Sequence, residues 1–160
     1  MKLSKKVVLA GLIAVLTVSM VFAKGGQDKA AAAAAKEGKV LTIYCWNDEF
    51  QVRFQDYFEK KGLVPEGVTV KWVVTPNQDN AYQNKLDEAL LAQNSAAADD
   101  KIDIFLIEAD YALKYVDTPY TLDVYKDIGL TQADVANQYK YTKDIMTDSK
   151  GNLKGVSWQA

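Results

Sequence analysis

The sequence predicts an α/β fold: an open, mainly parallel sheet flanked by helices. Two observations carry this. Apolar runs rich in β-branched and aromatic residues occur at residues 40–46, 68–75 and 102–107, and stretches of helical period separate them. Strands that alternate with helices imply parallel pairing through right-handed crossovers.

Each element has its own signal. Val40 to Trp46 reads as a strand buried on both faces. From Asp48 the period changes: Phe50, Phe54, Tyr57 and Phe58 recur at i, i+4, i+7 and i+8, one stripe of an amphipathic helix. Lys60-Lys61-Gly62 ends it with cations in the last turn and a glycine cap. Pro65-Glu66-Gly67 is a turn, and Val68 to Thr75 is a second strand stopped by Pro76. A second helix is expected over 78–93, with Tyr82, Leu86, Ala89, Leu90 and Gln93 on one side. After a polar loop over 94–101 comes the third strand, Ile102 to Ile107. A short helix over 109–116 is broken by Asp117-Thr118-Pro119, and a looser helical region covers 131–146. The turn-rich Asp148-Ser149-Lys150-Gly151-Asn152 then leads into Leu153 to Trp158, read as the returning strand of a hairpin.

The first residues set the compartment. Lys2, Lys5 and Lys6 precede an apolar run, Val7 to Phe22, and Val21-Phe22-Ala23 offers a small-residue cleavage site. This is the pattern of a secretory signal over 1–23, and the run is short for a membrane span, which needs about 20 residues. Export to the periplasm or another extracytoplasmic space follows. Residues 24–39 are low in complexity, with Gly25-Gly26 and six alanines from Ala30 to Ala35, and read as a flexible tether. Residues 40–160 are then one domain. The single cysteine, Cys45, lies between Tyr44 and Trp46 and is expected to be buried and inert.

Composition excludes several functions. Residues 1–23 carry three lysines and no acid, so 19 Lys and Arg against 21 Asp and Glu become 16 against 21, a net charge of −5. That balance gives no electrostatic reason for a nucleic-acid or anionic-membrane partner. The absence of histidine removes the commonest metal ligand and general base. No G-x-S-x-G, Walker or G-x-G-x-x-G motif is present. The reading is a non-enzyme without cofactor or metal site.

In an open parallel sheet, ligands sit beyond the carboxyl ends of the strands. Three segments fall there: Trp46-Asn47-Asp48-Glu49, Thr75-Pro76-Asn77-Gln78 and Glu108-Ala109-Asp110-Tyr111. Their mixture of aromatics, amides and carboxylates suits a polyhydroxylated solute, whose hydroxyls want polar partners while its C–H faces stack on rings. Each residue also has a structural role open to it. Asn47 or Asp48 could cap a helix, as could Asn77, Asp79 and Asp110; Glu49 could complement the helix dipole; Trp46 could be core. Asp99, Asp100 and Asp103 lack the spacing of a calcium loop and read as solvated loop.

The run Leu41-Thr42-Ile43-Tyr44-Cys45-Trp46-Asn47-Asp48-Glu49-Phe50 resembles the first strand and helix of bacterial extracellular solute-binding proteins of the sugar-binding family served by ABC importers. Asp103-Ile104-Phe105-Leu106-Ile107-Glu108-Ala109-Asp110-Tyr111 is similar to the family's third strand and ligand loop, Tyr141-Thr142-Lys143-Asp144 to the helix before its hairpin, and residues 151–160 to the hairpin strand that runs toward the interdomain crossing. The resemblance implies a periplasmic-binding-protein-like lobe over 40–160, incomplete and with the second lobe missing. It implies solute capture by hinge closure between two lobes and delivery to a membrane permease, by a monomer. Trp46, Asn47, Asp110 and Tyr111 would contact solute, with Asp48 and Glu49 beside them, and Trp158 and Gln159 would sit at the hinge or cleft floor. One jaw of such a clamp is expected to bind sugar weakly or not at all. The alternatives are a binding protein for another solute, a secreted carbohydrate-active enzyme or a surface interaction protein.

Overall fold

A computed structural model describes residues 39–159 of the chain; the expected signal segment and nearly all of the tether lie outside the described residues. Strand β1 (Val40–Cys45) is the middle of a three-stranded parallel sheet. β2 (Thr69–Val74) pairs along its whole length, from Val40 opposite Thr69 to Cys45 opposite Val74. β3 (Ile104–Phe105) pairs on the other side, Ile43 opposite Ile104 and Tyr44 opposite Phe105. The order β2-β1-β3 confirms a mixed α/β class with parallel strands.

The third strand is shorter than the six residues the sequence suggests, for a specific reason. Two acidic side chains stand where more of β3 would lie. Asp99 Oδ1 accepts from the backbone N–H of Lys39 (2.5 Å) and Val40 (3.2 Å), and Asp103 Oδ2 accepts from Thr42 N–H (2.7 Å). Asp103 and Leu106 then donate their own N–H groups to the carbonyls of Thr42 and Tyr44, continuing the contact beyond the two paired residues. Asp99 and Asp103, expected as solvated loop, are therefore surrogate strand partners that satisfy obligatory backbone donors.

Side chains alternate between the two faces of the sheet. The face with Tyr44 and Phe105 meets α2 (Ala81–Ala92), whose Tyr82, Leu86 and Leu90 are buried with Ile102 and Tyr115 in the main core. The face with Ile43 and Trp72 meets α1 (Glu49–Phe54) and the π-helical turn that extends it, Gln55–Glu59. Phe50 and Phe54 pack edge-on against Trp72 at 6.1 and 5.4 Å. α2 begins later than the periodicity indicates because Asp79 and Asn80 both adopt left-handed backbone, φ 50° and 61°. No helix can run through such a pair.

The remainder is mostly held by loops. α3 is only Leu113–Val116, and α4, Lys140–Ile145, is all that forms of the region expected over 131–146. Carboxylates do the work of regular structure here. Asp123 Oδ1 accepts from the N–H groups of Tyr125 and Lys126, and Asp148 Oδ1 accepts from those of Lys150 and Asn152. The hairpin strand expected over 153–158 is reduced to one antiparallel bridge, Thr147 to Leu153. Gln138 replaces a strand partner beyond it, donating to Ser157 O at 3.1 Å and accepting from Ser157 N–H at 3.3 Å. Val124, Val135 and Leu153 form a second, smaller core. Among the described residues no helix is long and apolar enough to cross a membrane.

Candidate functional site

Parallel pairing brings the carboxyl ends of β1, β2 and β3 to one edge, with β1 between its neighbours. The Thr75 N–H donates to Cys45 O (2.9 Å), and the Leu106 N–H to Tyr44 O (3.0 Å), fixing where each strand ends. The segments beyond are joined across β1 by Asn77, whose Nδ2 donates to Glu108 Oε2 at 3.2 Å. Neighbouring strands lie about 4.8 Å apart, so a bond from the β2 tip to the β3 tip spans about 10 Å over the end of β1.

Below this bridge the site has an aromatic base. Trp46 is half-buried and meets Tyr82 edge-on at 5.6 Å. The Tyr82 hydroxyl reaches the carbonyls of Leu106 (2.6 Å) and Tyr44 (3.1 Å), tying the ends of β1 and β3 to α2. Tyr111 packs on Tyr115 at 6.3 Å, and its hydroxyl is buried without a hydrogen-bond partner. Burial pushes the Tyr111 phenol up to about 12; the neighbouring Glu108 amide partly opposes this, and the Glu108 and Asp110 carboxylates add to it. Thr75 contributes a second buried hydroxyl without a partner. Asn47, Asp48, Glu108 and Asp110 are exposed around this base. Cys45 is fully buried, and burial, with Asp48 adding, raises its thiol; it is an inert core residue.

The capping roles open to these residues are mostly not taken. Asp48 occupies the position before α1 without a side-chain cap hydrogen bond, and the Asn47 side-chain Oδ1 instead accepts from Glu49 N–H at 3.1 Å. α3 begins after Ala112, so Asp110 does not cap it. Asn80, the residue before α2, also makes no side-chain cap. Asp48 and Asp110 are thus left with exposed carboxylates.

Of the eight candidate residues, Trp46, Asn47, Asp48, Asp110 and Tyr111 lie at the strand ends. Glu49, Trp158 and Gln159 come together elsewhere, along α1. Trp158 packs edge-on against Phe50 at 5.2 Å, and Gln159 Nε2 lies 3.3 Å from both Glu49 carboxylate oxygens. With Arg53, Phe54, Tyr57 and Phe58 they line an open groove of about 860 Å³. Asn77 and Glu108 are the bridging pair that sequence reasoning missed as site residues. Both stood in the strand-end segments, but their pairing depends on the strand order. Among the described residues, no group of three or more His, Cys, Asp or Glu side chains could hold a metal ion.

No protein-family model matches the chain, and no curated protein or solved structure is detectably similar to it. The functional reading stands on the residues and their geometry.

Proposed function

We propose that this chain is the extracytoplasmic solute-binding component of an ABC importer, taking a carbohydrate and handing it to a membrane permease. One observation carries the reading: parallel pairing brings Trp46 and Tyr111, both packed on the Tyr82 core, to the same edge of the sheet as Asn47, Asn77, Glu108 and Asp110. Sugar hydroxyls find carboxylate and amide partners there, and the rings offer apolar faces for the C–H surface. The segment over 1–23 is consistent with export, and the resemblance of residues 41–50 and 103–111 agrees with the same role.

The strand ends form one wall of a site, which buries a solute on one side only. Affinity is accordingly weak, with Kd on the order of 1 mM or above. NMR titration with a panel of mono- and disaccharides tests this. At least one sugar is expected to shift the Trp46 indole and Tyr111 resonances, and Asp110→Ala to abolish the shift. Micromolar affinity would overturn the one-walled site, whereas an unshifted spectrum across the panel at roughly tens of millimolar sugar, or release of reducing sugar, would each overturn the reading; the last would replace capture by hydrolysis.

A further inference from the structure

α1 and its π-helical extension carry an apolar stripe of Phe50, Phe54, Tyr57 and Phe58, yet no residue of either segment is buried. Phe50, Phe54 and Phe58 are only half-covered, although Trp72 and Trp158 pack against them, and Tyr57 stands 62% exposed. A helix with such a stripe normally buries it, and contiguous exposed apolar surface marks an interaction face. The charges on this face decide what covers it. Glu49 and Arg53 line the same groove four residues apart, and among the described residues neither belongs to an ion pair.

Opposite charges at i and i+4 are self-complementary. They lie about 6 Å apart along the helix axis, so a two-fold axis between them sets Glu49 of one copy against Arg53 of the other, and the contact repeats by symmetry. We propose that the α1 groove is the contact face of a symmetric dimer of this chain, with two α1 helices packed antiparallel, in place of the monomer suggested by the sequence. Phe54 and Tyr57 of each copy then lie toward the Trp158 end of the other, covering apolar surface that one copy leaves in water. A contact one helix long is at the low end of interface sizes. The dimer is weak, with Kd on the order of 10 to 100 μM.

Sedimentation velocity on the chain as the producing cell delivers it, over roughly 1 to 500 μM to bracket that Kd, tests the proposal. The expected result is a monomer–dimer equilibrium that saturates at two. Arg53→Glu and Glu49→Arg each set like charges opposite one another and weaken association at least about tenfold, and the double exchange restores it. Because the Arg53 side chain is exposed, near-ultraviolet circular dichroism of Arg53→Glu is expected to match the parent. A monomer at all concentrations overturns the proposal. So does association beyond two, association indifferent to the single reversals, or a double exchange as weak as either single one. A monomer whose Phe54 and Trp158 resonances shift with added sugar would make the groove a ligand site and equally overturn it.

Discussion

Tyr82 shows how much one side chain can organise. It is fully buried, supports Trp46 with its ring, and reaches two strand-end carbonyls with its hydroxyl. Tyr82→Phe keeps the ring and removes the donor that reaches the ends of both β1 and β3 from α2. A net loss of about 1 to 2 kcal/mol is expected, read as a lower urea midpoint with unchanged slope. An unchanged midpoint would mean that the hydroxyl contributes nothing. Residue-level roles were partly legible. The spacing places Tyr82 on one side of its helix with Leu86 and Leu90, and that side is the buried one. Its hydroxyl partners were not legible, since they lie 24 and 38 residues away. The neighbour of Trp158, Phe50, was not legible for the same reason: long-range packing sets it.

Among the elements, the start of α2 and the loops after α3 were the least readable. Asn80, at φ 61°, is a position where a side chain without local polar bonding is strained. Asn80→Ala is expected to cost about 1 kcal/mol, while Asn80→Gly is close to neutral or slightly stabilising; equal midpoints for the two in thermal melts would show that no backbone strain is present. The region from Asp117 to Asn152 depends on carboxylates that accept backbone N–H groups, and periodicity does not report such bonds. Hydrogen bonds from Ser149 hold the Asp117 carboxyl below its ordinary 3.8, and those from Asn152 do the same for Asp148. The Lys126 amide lowers Asp123, and the Thr131 hydroxyl lowers Asp134. A depressed folded-state value gives stability that is present above pH 3.8 and lost as pH falls below it. Acid titration followed by amide NMR should therefore loosen residues 117–152 while the β1–β2 pairing persists. Simultaneous loss of both would show that the two regions melt as one.

For the whole molecule, the parallel α/β class was legible because β1 and β2 are apolar runs separated by a helical stripe, and α2 repeats cleanly. Strand order was not, because it is a property of pairing between distant segments. The main core carries an opposite pH signature from the loops. Burial raises the phenols of Tyr82, Tyr111 and Tyr115 above their ordinary 10, with Tyr111 near 12. The native state holds these protons more tightly than the unfolded chain. Their contribution is complete below pH 10 and declines as pH rises past it, while the native phenols stay protonated. Stability measured against urea should be level up to about pH 9, where the buried Cys45 thiol begins to contribute in the same sense, and fall more steeply beyond about pH 10; a flat profile through pH 12 would contradict the burial of these groups.

The central position of β1 has a consequence for synthesis. Of the described strands β1 is the first to leave the ribosome, yet it ends up between the other two. The Asp103 carboxylate that accepts from Thr42 N–H is made 61 residues later. At about 5 to 20 residues per second, this is a wait of roughly 3 to 12 s. Until β2 has been made β1 has no partner at all, and after that it has β2 on one flank and an open ladder on the other. An apolar strand in that condition is a substrate for a holding chaperone, and the nascent chain should stay bound to one until residue 106 has emerged.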